Sequence, residues 1–404
     1  KQGAVSNANQ QACTLRDFSL TTTTAAHWTA LAASPERRTT WDRYNGLREE
    51  VRKAPATNVP VLLERPTPAQ RGTRIWLRGN RLTKEMAVQP GVPERLNPPE
   101  GTGRVSRLDM ARWLVSERNP LAGRVLANRL WAGLFGRGIV ETLEDFGSSG
   151  ARPTHPELLD HLALRLTRQH GWSVKKFLRE VALSATYAQS SRAPADLVSR
   201  DPSNALLARG PRQRLTAEMV RDHALKVSGL LSSKMSGPPV YPPQPEGVWN
   251  SVYSGQTWKT SEGEDRYRRA IYTYVKRTSG YPVFLAFDAP ARDLCSARRL
   301  PTNTPLQALV TLNDPAYLEM AMALAQRVSR VGGTVEEQIS RACQLITLDP
   351  PPAGLLTALT KLHAGALADY QAKPDTAAAL GGTPEAAALT LVANTLLNTD
   401  LALN

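Results

Sequence analysis

The stretch Asn119-Pro120-Leu121-Ala122-Gly123-Arg124-Val125-Leu126-Ala127-Asn128-Arg129-Leu130-Trp131-Ala132-Gly133-Leu134-Phe135-Gly136-Arg137-Gly138 decides how the chain is read. Asn119 supplies a cap and Pro120 a residue whose fixed φ suits a first helical turn. Leu121, Val125, Leu126, Trp131, Leu134 and Phe135 then recur at helical spacing, and Gly136 or Gly138 stops the run. This is an amphipathic helix with its own start and stop signals.

The same grammar recurs on both sides. Ser106 to Asp109 is a loose capping box. Thr154-His155-Pro156-Glu157 is a fuller one, with Leu158, Leu159, Leu162 and Leu166 facing inward. Ser173 caps the next helix, which carries Phe177, Leu178, Val181 and Ala185 on one face. Thr216 with Glu218 opens another that ends near Gly229. Further on, Thr304-Pro305-Leu306-Gln307 again combines a cap, an N1 proline and an N3 Gln, and Asp314-Pro315, Thr334 to Glu337, and Thr383 onward each open a helix.

Two stretches break the pattern. Val59 to Leu63 and Thr73 to Leu77 are β-prone, with Gly79-Asn80 after them and Pro90, Pro93, Pro98 and Pro99 beyond. Pro238 to Pro245 is proline-rich, and Ile271 to Val275 is β-branched and aromatic. The expected architecture is therefore mainly α: an irregular multi-helix bundle with small β-insertions near residues 58–80 and 268–278. Its parts are a connector over 1–57, with a charged helix over Pro35 to Val51, and a β-element with Pro-rich linker over 58–105. A helical subdomain over 106–230 and a Pro- and aromatic-rich insertion over 231–300 follow. A C-terminal helical subdomain over 301–404 packs on 106–230.

The 404 residues are 41% hydrophobic and 21% charged, which excludes a disordered chain or a small disulfide scaffold. No stretch approaches a membrane span in length. Lys and Arg exceed Asp and Glu by 50 to 36, and 11 of the 50 are Lys, so Arg dominates. Such a surface attracts polyanions, and Arg offers a planar fork for carboxylate or sulfate. Genome composition is the plainer source of the excess. No run of five basic residues exists, which argues against sequence-specific nucleic-acid binding. Cys13, Cys295 and Cys343 are far apart, with no CxxC or CxxCH, so no cofactor is expected in this chain. The chain begins with Lys1 and reads as a processed product or a piece of something longer.

Three groups of motifs carry a resemblance. The first runs from Arg112-Trp113-Leu114 through Asn119-Pro120-Leu121 and Asn128-Arg129-Leu130-Trp131 to Phe135-Gly136-Arg137-Gly138. Asp145-Phe146-Gly147, Pro153 to Asp160 and Leu183 to Tyr187 form the second. The third is Phe287 to Pro290, Thr302 to Leu309 and Leu312 to Pro315. In this order they resemble the planctomycete-type domain of unknown function 1553 (PSD1), over roughly residues 60 to 400. That family typically forms the C-terminal domain of large exported proteins associated with c-type cytochrome domains. The resemblance implies an extracytoplasmic, periplasmic setting and a cytochrome domain or subunit as a partner, and brings no active-site residues with it.

The residues themselves leave two function classes open. One is an interaction or scaffold module, without haem, docking to a cytochrome domain or binding acidic polysaccharide. The other is a hydrolase or oxidoreductase acting on polysaccharide near His155, Glu157 and Asp160, the densest titratable cluster; capping explains Glu157 equally well. Asn128, Arg129, Asp145, Arg298, Arg299, Asn303 and Asn313 are the candidate binding residues, meeting in a polar cleft if the motifs converge. Arg129, if buried, needs Asp145 or Asp160 as partner. Gly101-Thr102-Gly103 is either a linker or an anion-binding turn. The aromatic run Trp249, Tyr253, Trp258, Tyr267, Tyr272, Tyr274 and Tyr281 is either a stacking platform or packing.

Overall fold

The computed structural model describes residues 35–53, 62–66, 69–98, 104–249 and 255–404. Cys13, most of the 1–57 connector, Val59 to Val61, Gly101 to Gly103 and Tyr253 lie outside them. The chain divides into two compact units, 1–89 and 90–404. Among the described residues there are fifteen α-helices and one two-stranded sheet, so the protein is mainly α.

The first unit holds α1 (Pro35–Lys53) and an antiparallel hairpin of β1 (Thr73–Trp76) and β2 (Lys84–Val88). Arg78 and Gly79 take positive φ in the connection, where Gly79 bears no Cβ to clash. Leu62 and Leu63, at the end of the other β-prone run, join no strand.

The second unit contains α2 (Arg107–Leu114), α3 (Ala122–Phe135), α4 (Pro156–Leu164), α5 (Val174–Ala182), α6 (Ala195–Arg200) and α7 (Ala217–Ser228). It continues with α8 (Pro282–Ala286), α9 (Pro305–Asn313), α10 (Pro315–Ser329), α11 (Val335–Thr347), α12 (Ala353–Ala372), α13 (Pro374–Ala378), α14 (Pro384–Leu397) and α15 (Asp400–Leu403). Many starts are capped as the sequence indicates. Ser106 with Asp109, and Thr334 with Glu337, form reciprocal capping boxes. Thr216, Asp314 and Thr383 accept from backbone N–H groups of α7, α10 and α14. Gly136 and Gly229 end α3 and α7 in the left-handed conformation.

Apolar faces collect into two cores. The smaller joins Ala127, Trp131 and Phe135 of α3 to Leu159 and Leu162 of α4, Leu166, and Phe177 and Val181 of α5. Trp131 stacks on Phe135 at 4.0 Å between ring centroids. The larger is built on α10, whose Ala316, Tyr317, Met320, Ala321, Leu324, Ala325 and Val328 are buried, and on α14, buried on nearly every side. Each leucine or methionine fully removed from water there contributes about 1.5–3 kcal/mol. Ala217, Val220, Ala224, Leu225 and Val227 of α7 belong to this larger core. The helix expected to close the 106–230 subdomain thus packs with the C-terminal helices.

Three local readings are corrected. Ile271 to Val275 forms no ladder; Ala270–Tyr272 is a 3-10 turn, and pairing is limited to isolated bridges at Ser232 with Arg268 and Val240 with Thr273. Pro238, Pro239, Pro242 and Pro243 flank Val240 and have no N–H to extend it. The Thr154 capping box is also absent, because Thr154 donates its N–H and hydroxyl to the Ile139 carbonyl and α4 starts after His155. Ser173 precedes α5 without a side-chain capping bond.

Of the described aromatic run, Trp249, Trp258, Tyr274 and Tyr281 pack together. Trp258 stacks with Tyr281 at 5.8 Å and meets Tyr241 and Trp249 edge-on at 5.0 and 5.3 Å. Tyr281 is 2% exposed.

Asp314, 2% exposed, caps α10 through the Ala316 N–H. Burial pushes its carboxyl up to about 6. In the unfolded chain it titrates near 4, so the native state holds the proton more tightly. The associated stability is full at acid pH and is lost as pH rises through 6. Asn caps equally well and has no charge to bury. Asp314→Asn should therefore gain about 2 kcal/mol over wild type between pH 4.5 and 8, read from urea midpoints. A difference independent of pH would refute this.

Candidate functional site

The site begins at the end of α3. After left-handed Gly136, the chain turns through Arg137 and Gly138 to Val140. Asn128, fully buried, donates its amide N–H to the Val140 carbonyl at 2.9 Å and accepts the Val140 N–H at 2.9 Å. This bracket presses the turn against the helix. A Cβ on Gly138 would lie 2.3 Å from the Val140 carbonyl oxygen, so only glycine fits. Beyond the turn, Asp145 accepts the Gly147 N–H, and Thr142 donates to the Asp145 carbonyl at 2.7 Å. Asp145-Phe146-Gly147 is thus an Asx turn.

The opposing wall follows α8. Asp288 has φ +57° and accepts from the Thr302 N–H and hydroxyl, closing the loop between them. Gln307, 1% exposed, donates to the carbonyls of Ala286 and Thr302 and accepts from Arg214 at 2.6 Å. The expected capping role of Gln307 on Thr304 is replaced by this tertiary amide. As a result α9 is inverted: Gln307 and Thr311 are buried, while Leu306 and Leu309 are exposed.

Between these walls lies a cleft of about 540 Å³. Arg129, Arg137 and Glu141 line it from the first signature region, Arg214 and Met219 from around the start of α7, and Phe287, Asp288, Arg298, Arg299 and Gln307 from the last. Three of its five guanidiniums are paired. Arg137 meets Glu141 at 2.8 Å, Arg298 meets Glu144 at 3.0 Å, and Arg299 holds Glu218 through contacts of 2.5 and 3.0 Å. Burial pushes the Glu218 carboxyl up, but hydrogen bonds led by Arg299 outweigh it and hold it below its usual range. Arg214 bonds to neutral Gln307 and lies 6.0 Å over Phe287. Among the described residues, neither Arg129 nor Arg214 has a carboxylate partner. The cleft therefore presents more guanidinium than carboxylate, over the apolar surfaces of Leu143, Leu215, Met219 and Leu300.

Of the sequence candidates, Arg129, Arg298 and Arg299 line this cleft, and Asn128 lies behind it holding the turn. Asp145, Asn303 and Asn313 do not line it; Asn313 donates to the Leu309 carbonyl. Arg129 is exposed, and neither proposed partner reaches it, since Asp160 is taken by Arg124 at 2.5 Å and Asp145 by its own turn. His155, Glu157 and Asp160 do not converge: His155 contacts Thr154, Glu157 is exposed, and Asp160 faces Arg124. Arg137 and Arg214 were not singled out by sequence. The only signal for Arg214 is its place two residues before the Thr216 cap.

These features define a mainly α-helical protein carrying an arginine-lined cleft between two separated sequence regions. Residues 106–363 match the family model PSD1, protein of unknown function (DUF1553), and the chain belongs to that family. No curated protein and no solved structure matches it.

Removing the bracket should weaken the whole wall. Asn128→Ala leaves the Val140 N–H and C=O unpaired in the interior and is expected to cost about 2–4 kcal/mol in urea unfolding. Arg129→Ala, exposed and unpaired, should stay within about 0.5 kcal/mol of wild type. Equal stabilities for the two variants would show that the bracket does not hold the turn.

Proposed function

We propose that this DUF1553 chain is a recognition module without haem, part of an exported multidomain bacterial protein. Its arginine cleft binds an acidic polysaccharide. One observation carries the reading: Arg129 and Arg214 offer planar donor forks at the cleft with no carboxylate to meet them among the described residues. A carboxylate or sulfate supplies the missing acceptor, and the Leu143, Leu215, Met219 and Phe287 surfaces suit the C–H faces of sugar rings. The paired Arg298 and Arg299 brace the wall. The module needs no cofactor of its own for this task.

A hydrolase at His155, Glu157 and Asp160 draws no support, because those groups point to different neighbours. Docking to a c-type cytochrome domain has one observation in its favour, the exposed leucines of α9.

Calorimetry with oligogalacturonate and with a sulfated galactan fragment tests the main reading. Binding should weaken several-fold between 50 and 200 mM salt, as charges at a cleft mouth are screened. Arg129→Ala and Arg214→Ala should each cost about tenfold in affinity, the yield of one charge-assisted hydrogen bond. Affinity indifferent to salt and to both substitutions would end the proposal.

A further inference from the structure

A second cleft, separate from the arginine site, has a different chemistry. It encloses about 550 Å³ where residues 116–120, between α2 and α3, face the end of α4 and the segment after it. That segment is unusual twice over. Residues Arg165–Gln169 widen into a π turn, with the His170 N–H bonded to the Arg165 carbonyl at 2.9 Å. π turns recur at functional sites. Gly171 and Trp172 then both take positive φ, +54° and +63°. The left-handed conformation is natural for Gly171 and unfavourable for Trp172, which has a Cβ. The Trp172 N–H is tied to the Leu166 carbonyl at 2.8 Å, which fixes the backbone of an indole bordering the cleft.

The remaining walls are polar and largely self-neutralised. Arg124 pairs with Asp160 at 2.5 Å and Arg168 with Glu117 at 3.2 Å. Arg118 is also bonded. Unused hydrogen-bonding capacity nevertheless remains. Asn119 spends its carbonyl oxygen on the Leu121 and Ala122 N–H groups, leaving its amide donors. Asp160 and Glu117 each use one carboxylate oxygen in their ion pairs and keep the other.

We propose that this cleft is a binding site for a neutral saccharide, with the Trp172 ring against a sugar face and Asn119, Glu117, Asp160 and Arg168 on its hydroxyls. Both donors and acceptors border the cleft, as binding to sugar hydroxyls requires, and the internal ion pairs leave little field to select a charged ligand. An aromatic ring beside them provides the apolar contact for C–H groups. The same arrangement argues for binding over cleavage. Sugar hydrolysis by paired carboxyls requires one to carry a proton, and the Arg124 hydrogen bond holds Asp160 below the usual carboxylate range. The inference does not depend on the arginine cleft.

The test uses hexamers of β-1,4-linked glucose, xylose and mannose as probes, titrated by calorimetry into the full chain. At least one should bind with an affinity that salt leaves unchanged. Trp172→Gly removes the ring while relieving the backbone, so it should fold and lose about tenfold or more in affinity. Should that variant melt early, Glu117→Ala and Arg168→Ala carry the test, because their exposed ion pair contributes little to folding. Arg129→Ala, in the other cleft, should bind as wild type. Failure of all three hexamers to bind, wild-type affinity in the folded variants, or a loss that follows Arg129 would each overturn the proposal.

Discussion

The Gln307 amide joins three parts of the chain that are remote in sequence. It is almost wholly buried, receives the Arg214 guanidinium before α7, and donates to the carbonyls of Ala286 at the end of α8 and Thr302 before α9. An amide so enclosed must satisfy its donors and acceptor from the protein, since leaving one open costs about 1–3 kcal/mol. That constraint sets the face α9 turns inward and exposes Leu306 and Leu309. It also holds Arg214 at the arginine cleft.

Across the cleft, Asn128 does the equivalent task for the Gly138 turn. Both walls thus rest on neutral buried amides, and the charges stand at the surface of the cleft. Amides can be fully satisfied inside a helical core without the desolvation cost of a buried ion. The arrangement keeps the guanidiniums near water and positions them from rigid supports. Paired arginines stiffen the rim, while Arg129 and Arg214 have no carboxylate partner among the described residues.

Much of the helical architecture was legible. Ser106, Thr216, Thr334 and Thr383 cap where local pattern indicates, because a cap involves a side chain and a backbone group only two or three residues apart. Leu159, Leu162 and Leu166 turn inward as periodicity requires. Two of the readings that failed met a distant competitor. Thr154 was drawn to Ile139, fifteen residues away, and Gln307 to Arg214, ninety-three away. Ile271 to Val275 has strand propensity, but a proline-rich neighbour cannot complete a ladder. Of the candidate site, Arg129 was visible within a motif, and Arg298 and Arg299 beside one. The polar cleft at Trp172 was not, since neither a π turn nor a left-handed tryptophan leaves a mark in composition or period.

The amino-acid order alone determined the helical class, the main helix starts, the basic surface and the family. Those properties rest on neighbours within one or two turns, on summed charge, or on motif wording. Tertiary structure decided which arginines remain without carboxylates, which carboxylates are taken, and which polar groups border a common cavity. Ion pairing falls off over a few ångströms, and residues such as Arg299 and Glu218 become neighbours only when the loop carrying the first has packed on the helix carrying the second.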